Sequence, residues 1–175
     1  MNMKKFLWRF CLTASVLFLT ITASAWAAEP AHWQETDTFE ILVGTEQEAL
    51  GDLSCMPYYE KETLMVPLRP IAEALGYSVA WCAETGEVTV EDAYTQKAVL
   101  RQGTKTIVFE GKLTIINLSR QMEAAEEIVI EEGHTFVPLA FFEEFFNKTR
   151  LEGTTVIVEP EMAEAYGQET QMVNG

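Results

Sequence analysis

The tripeptide Val-Pro-Leu occurs twice in this chain of 175 residues, at 66–68 and again at 137–139. Each copy follows a short apolar run. Each precedes a segment whose apolar residues recur at intervals of three and four, which is the spacing of one helix face. Proline ends a strand and suits the first turn of a helix, because it has no N–H to donate. The sequence therefore predicts one unit twice: strand, proline stop, short helix and β-hairpin.

The helical stripe of the second copy is made of phenylalanines, where the first copy has smaller residues. One unit is too small to bury its apolar side alone, whereas two copies can share a core. We expect an α+β fold, in which a twisted antiparallel sheet packs on two short helices and is built from two divergent β-α-β-hairpin repeats. The residues predicted for the core are Leu75, Trp81, Phe142, Phe145 and Phe146.

Other segments have the composition of strands and are separated by turn residues. Residues 78–81 and 87–92 flank Cys-Ala-Glu-Thr-Gly and predict a hairpin. Residues 105–118 break at Gly111, which predicts a second hairpin with its turn at that glycine. The polar segment 119–127 fits a loop or one helical turn.

The first residues have the three parts of a secretory signal peptide. A basic start precedes an apolar run at 11–21 and the small-residue exit Ala25-Trp26-Ala27. We expect residues 1–27 to be a signal peptide that is cleaved between Ala27 and Ala28. An uncleaved membrane anchor is the alternative. The protein is then secreted or otherwise extracytoplasmic, in the cell envelope.

Three segments follow the predicted signal peptide. Residues 28–38 show no apolar period and are predicted to be a flexible leader. Residues 39–160 are predicted to hold the folded domain. The polar residues 161–175 are predicted to be a disordered tail.

The charge of the chain excludes two classes of partner. Twelve Lys and Arg stand against 27 Asp and Glu, a formal net charge of −15. Such a field repels nucleic-acid phosphates and anionic lipid surfaces. We therefore expect no nucleic-acid partner, and contact with a membrane only through the signal peptide before its cleavage.

Two cysteines, Cys55 and Cys82, lie beyond the predicted signal peptide. An even count in an exported protein permits one disulfide. Closing this loop would stabilise the fold by roughly 3–4 kcal/mol on the chain-entropy model. The pair is our disulfide candidate, and two separate thiols are the alternative.

Residues with the spacing of a reaction centre are absent from the sequence. His32 and His134 are too few and too far apart to make a copper site by imidazole alone. No nucleophile elbow, zinc-protease motif or phosphate-binding glycine loop occurs. We therefore predict no catalytic, cofactor-binding or metal-binding residue. The paired carboxylates, interpreted as solvated charge, are Glu91-Asp92, Glu126-Glu127, Glu131-Glu132 and Glu143-Glu144.

The first copy of the repeat carries the motifs of a known family. They are Val66-Pro67-Leu68-Arg69, Ala72-Glu73-Ala74-Leu75-Gly76, Val79-x-Trp81 and Val88-Thr89-Val90. This stretch resembles the copper amine oxidase N-terminal domain-like family, also called the stalk domain. The resemblance covers about residues 38–160. Cys82 stands where the family usually has Asp, and Ala140 replaces the arginine of the motif in the second copy.

The resemblance implies a small α+β domain on the outside of bacterial cells. It also implies a non-catalytic appendage, since the copper and quinone chemistry of the oxidase belongs to a different domain. Our hypothesis is a secreted or envelope-associated binding or structural module without a cofactor, whose partner is an unknown protein or a cell-wall polymer.

Two alternatives stay open. One is a secreted hydrolase with a carboxylate cleft. The other is a secreted inhibitor or host-interaction protein, for which residues 52–59 are the candidate exposed segment.

Overall fold

The computed structural model describes residues 38–51, 53–114 and 117–161. The predicted signal peptide with its cleavage site at Ala27 and Ala28, and nearly all of the predicted leader and tail, lie outside these residues.

The described part of the chain is mostly β-structure, with thirteen strands and two short helices. The helices are α1 (Leu68–Ala74) and a 3-10 helix (Leu139–Phe145). The strands are β1 (Glu40–Val43), β2 (Glu48–Ala49), β3 (Tyr58–Glu60), β4 (Thr63–Pro67), β5 (Ser78–Cys82), β6 (Glu87–Glu91), β7 (Gln96–Arg101), β8 (Thr106–Gly111), β9 (Arg120–Glu123), β10 (Val129–Glu131), β11 (His134–Pro138), β12 (Asn147–Glu152) and β13 (Thr155–Pro160).

The two Val-Pro segments lie side by side in one four-stranded antiparallel sheet, which we name the Val-Pro sheet. Its strand order is β10-β11-β4-β3. Val66 lies opposite Val137, Pro67 opposite Phe136 and Pro138 opposite Met65. Each proline is the last residue of its strand, because proline cannot donate to a ladder. A helix begins at the next residue in both cases.

The helices are shorter and less regular than the spacing of the apolar residues suggests. The first spans seven residues and is followed by Gly76, whose φ of 82° is left-handed. The second is a 3-10 helix, and it ends at Phe146, whose φ of 57° is also left-handed. Phe146 thus occupies the left-handed capping position, where glycine is the usual residue.

The predicted fold class is wrong. Instead of one antiparallel sheet on two helices, built from two β-α-β-hairpin repeats, the described residues form three sheets, and the two helices are short connections between them. The physical reason is that each proline ends its strand at a corner. The hairpin after each corner therefore enters a different sheet from the strand before it.

The first of these hairpins, β5–β6, opens a five-stranded antiparallel sheet with the order β5-β6-β7-β8-β9, which we name the meander sheet. The turn predicted at Gly111 is wrong, because β8 continues to that residue and pairs with β7 there. The strand that pairs next with β8 is β9, inside the segment 119–127 that was expected to be a loop or a helical turn.

The second hairpin, β12–β13, belongs to a sheet with the order β12-β13-β1-β2, which we name the terminal sheet. Its strand β1 pairs in parallel with β13, so that Glu40 lies opposite Thr155. This sheet joins the first and the last strands of the described chain.

One main hydrophobic cluster draws residues from all three sheets and both helices. Phe142 and Phe145 are buried in it, and Leu75 is partly buried against it. The core prediction is wrong for Trp81 and Phe146, whose exposed fractions are 48% and 43%. Phe141 is buried in place of Phe146, because the left-handed cap turns the latter residue away from the 3-10 helix.

Truncating two neighbouring phenylalanines should separate core from surface. We expect Phe142→Ala to lower the free energy of unfolding by about 3–5 kcal/mol, because it leaves a cavity in the core. We expect Phe146→Ala to change it by less than about 1 kcal/mol, because the side chain is half-exposed. Urea denaturation followed by circular dichroism measures both. Equal losses for the two variants would contradict this description of the core.

Candidate functional site

A cavity of about 430 Å³ lies where the meander sheet meets the Val-Pro sheet. Val79, Trp81 and Val88 of the β5–β6 hairpin line it on one side. The Val-Pro sheet and its corner line the other side with Pro67, Pro70, Ile130, Gly133, His134 and Thr135. We name it the Trp81 cavity. Its volume lies within the range of pockets that hold small ligands or single side chains.

The alternation of β5 explains why Trp81 reaches the cavity. Side chains of a strand point to opposite faces in turn, so Val79 and Trp81 share one face, and Ser78, Ala80 and Cys82 share the other. Because β5 is the edge of its sheet, nearly half of the Trp81 side chain stays exposed. The indole is therefore an exposed wall of the cavity and not a part of the core.

Arg69 stands at the corner between β4 and α1 and fixes one end of the cavity. Its Nη1 donates to the Glu73 carboxylate at 3.1 Å and to the backbone carbonyl of Val79 at 3.0 Å. The first contact is the i,i+4 pair that the helix spacing allows. The second joins the corner to β5 across the sheet boundary. Within the described residues, Nε and Nη2 of Arg69 have no hydrogen-bond partner.

The cavity carries an unusual charge for this chain. Its described lining includes Arg69 and His134 but neither Asp nor Glu, although the sequence has 27 acidic residues. Carboxylates elsewhere in the described chain are engaged by cations. Examples are the pairs Glu87–Arg101, Glu91–Lys112, Glu126–Lys61 and Glu144–Arg120. The lining is thus apolar with one arginine, whose charge is paired with Glu73 beside the cavity, and it lacks the paired carboxyl groups that glycoside hydrolysis uses.

Cys55 is a buried thiol in the lining of the cavity. Burial raises the pKa of the Cys55 thiol, and the hydrogen bond with Ser54 lowers it by less. The sulfur is therefore protonated at neutral pH. A nucleophilic cysteine needs a thiolate, so the protonated Cys55 has the properties of a buried packing residue.

Cys82 is exposed and differs chemically from Cys55. Hydrogen bonds from the Thr85 side chain, and from the backbone of Thr85 and Glu84, lower the pKa of the Cys82 thiol. Both cysteines are free in the structure, so the predicted disulfide is not formed. The reason is geometric. Cys82 lies on the face of β5 opposite to Trp81, which lines the cavity together with Cys55.

Of the two histidines that the sequence analysis found insufficient for a copper site, one lies in the described chain. His134 lines the cavity, whereas His32 lies outside the described residues. In the described segments, no three His, Cys, Asp or Glu side chains come together in a way that could hold a metal ion. The residues present do not fit the copper of an amine oxidase. The described helices also include no segment long and apolar enough to cross a membrane.

The candidate exposed segment of an inhibitor, residues 52–59, is described from residue 53, and its described part is partly covered. Cys55, Pro57 and Tyr58 are buried, and Tyr59 is the large exposed side chain of the segment. The exposed apolar element is instead β5. One signal of this difference is visible in the sequence, since β5 has no charged residue although it lies on the surface.

The two thiols should react at very different rates. We expect iodoacetamide to modify Cys82 in the native protein and Cys55 only after denaturation. Because the pKa of Cys82 is lowered, the rate should reach half its maximum at a pH below that of an ordinary cysteine. Thr85→Val should move this midpoint upward. Mass spectrometry of the cysteine peptides measures the labelling. A Cys55–Cys82 disulfide peptide, or equal labelling, would contradict the structure.

Comparison with known proteins places the chain in a family. The family described as copper amine oxidase N-terminal domain matches residues 46–159. A protein of Brevibacillus choshinensis described as a protease inhibitor is 32% identical over 84 residues. These residues are 48% of this chain and 23% of that relative, so the match spans about a quarter of the relative's length. No solved structure matches. Since the family match extends over more than half of the sequence, the chain belongs to the copper amine oxidase N-terminal domain family.

Proposed function

We propose that this protein is a non-catalytic binding module that acts outside the cytoplasm and holds its partner at the Trp81 cavity. The observation that carries the proposal is the cavity itself. It has apolar walls, one half-exposed tryptophan and no acidic residue in its described lining, in a chain of net charge −15. Large exposed aromatic side chains beside a pocket are the typical anchors of binding surfaces.

The family membership supports a role in binding. The match is to the N-terminal domain of copper amine oxidases and not to their catalytic domain, so it favours a role without chemistry. The cavity supports the same role, because its one cysteine is held protonated and no carboxylate lines it in the described chain. A hydrolase would need an activated nucleophile or a pair of carboxyl groups at this place.

The location outside the cytoplasm rests on the first residues of the sequence. Their basic start, apolar run and Ala25-Trp26-Ala27 exit favour export. The acidic net charge favours solubility and disfavours nucleic acid. The partner we propose is accordingly a protein or a cell-wall polymer.

Protease inhibition is the second candidate. The observation that favours it is the match of 84 residues to the Brevibacillus choshinensis protein described as a protease inhibitor. Proteases bind their substrates as extended strands, and β5 is an exposed, uncharged edge strand that could take such a place. Titration of subtilisin, trypsin, papain and thermolysin with the full chain tests it. A stoichiometric loss of activity in any of them supports inhibition, and full activity in all four excludes it for these enzyme classes.

The binding proposal is tested by removing the indole. We expect the full chain to bind either insoluble peptidoglycan or members of a phage-displayed random peptide library. Trp81→Ala should weaken that binding at least about tenfold, because central tryptophans dominate binding energies. Leu151→Ala is the matched control, since Leu151 is also an exposed apolar residue on an edge strand. Sedimentation measures binding to peptidoglycan, and phage titre measures binding to the displayed peptides. Binding that is equal in both variants, or absent for both probes, would refute the proposal.

A further inference from the structure

The Trp81 cavity has walls of two different kinds. On the side of the meander sheet, the half-exposed indole of Trp81 lies beside Val79 and Val88, and these three residues form an apolar wall. Around the rest of the cavity, polar side chains join the lining, and these are Ser54, Arg69, His134 and Thr135. The cavity therefore places a flat apolar ring beside groups that make hydrogen bonds.

Arg69 is held at this cavity by bonds that use only one of its nitrogens. Its Nη1 donates both to the Glu73 carboxylate and to the backbone carbonyl of Val79. The pair with Glu73 offsets the charge of the guanidinium, and the bond to Val79 fixes its position. Within the described residues, Nε and Nη2 have no hydrogen-bond partner. Arg69 is thus an oriented donor whose charge is already balanced.

Thr135 adds a hydroxyl group to the same lining. It lies opposite Ile130 in the β10–β11 ladder, and directly opposed residues share a face of their sheet. Both residues line the cavity. Because a threonine hydroxyl donates one hydrogen bond and accepts others, this wall can bond a partner group of either kind.

These walls disfavour two classes of occupant. A purely apolar side chain that filled the cavity would separate Arg69 and Thr135 from water without replacing their hydrogen bonds, which is unfavourable. A charged occupant is disfavoured as well, because the net charge of −15 repels anions and the described lining has no acidic residue to pair with a cation. The complement is a neutral molecule with an apolar face and a polar rim.

A neutral pyranose ring has both of these properties. Its C–H groups form apolar faces, and its hydroxyl groups form a rim that donates and accepts hydrogen bonds. The cavity volume of about 430 Å³ lies near the lower end of the range of roughly 300–1,000 Å³ for ligand pockets, so it suits one ring and not several. Because Trp81 stands on an edge strand and is half-exposed, the neighbouring rings of a polymer would lie in solvent.

We propose that the Trp81 cavity binds one neutral sugar ring of a glycan. The indole of Trp81 stacks on a face of the ring, and Arg69 and Thr135 make hydrogen bonds to its hydroxyl groups. This inference rests on the proposed binding function and names the partner class of the same site. It selects a glycan over a protein, because the polar part of the lining suits a hydroxyl-rich ring better than an apolar side chain.

The first experiment titrates the full chain with two neutral glycans, N-acetylglucosamine trimer and cellotriose, and follows it by NMR. We expect saturable shifts at the Trp81 indole N–H and the Thr135 amide for at least one of them, with a dissociation constant on the order of 1 mM. Glucitol, which has hydroxyl groups but no ring, and the anionic trigalacturonic acid should cause no such shifts. Equal shifts with glucitol, or none with either glycan up to about 50 mM, would overturn the proposal.

The second experiment changes the two kinds of wall separately. Trp81→Phe keeps a flat ring and should lower the affinity for the bound glycan less than about fivefold, whereas Trp81→Leu should lower it at least about tenfold. Thr135→Val removes the hydroxyl at nearly constant size and should lower it about three- to tenfold. Thr89→Val is the matched control and should have no effect, because Thr89 lies on the face of β6 opposite to Val88.

The variants also distinguish a sugar from an apolar side chain. An apolar occupant would bind the Thr135→Val variant as well as the unchanged protein or better, and would not require a flat ring at position 81. Either result, with circular dichroism showing that the variants are folded, would refute the assignment of a sugar ring.

The outcomes separate this inference from the proposed function. If neither glycan binds, but binding to the peptide library still depends on Trp81, the cavity binds a protein. The sugar assignment then fails and the proposed function stands. If Trp81→Ala changes binding neither to the glycans, nor to peptidoglycan, nor to the peptide library, both the sugar assignment and the proposed function fail.

Discussion

The arrangement of the three sheets depends on two prolines that flank one strand pair. Val66 and Val137 lie opposite each other, and the proline after each valine ends its strand on opposite sides of that pair. Neither proline can donate to a ladder, so the chain leaves the Val-Pro sheet after each of them. Because the two strands are antiparallel, the two exits lie in opposite directions. One exit leads through α1 to the meander sheet, and the other leads through the 3-10 helix to the terminal sheet. The Trp81 cavity lies beside the first of these exits, which is why the corner residue Arg69 lines it.

The parts of the fold that are local in sequence could be predicted from it. The β5–β6 hairpin follows from β-rich runs on either side of turn residues, and it exists. The pairing of β8 with β9 could not be predicted, because a loop separates the two strands in sequence and the residues of β9 are mostly polar. The parallel pair of β1 and β13 gives no local signal at all. Register between distant strands is set by the complete core, not by any one window of sequence.

The site was harder to predict than the fold for a specific reason. The apolar character of Trp81 favours burial, yet its strand is an edge, and edge position is a property of the whole sheet. The same limit explains Phe146. Its helical spacing fits the stripe, but the helix ends one residue before it in a left-handed turn. The lack of charge in β5 was the usable signal, since an exposed strand without charge departs from the normal protection of sheet edges.

The parallel pair of β1 and β13 has a consequence for how the molecule is made. Glu40 and Thr155 are neighbours in the terminal sheet although 115 positions separate them. While the chain leaves the ribosome, nearly the whole remaining domain is synthesised before β13, the parallel partner of β1, exists. Contacts between such distant residues slow folding, because a long loop must close first. We therefore expect the β1–β13 pairing to form late in folding, and we expect a chain shortened before β13 to leave that side of the apolar strand β1 open to association with other chains.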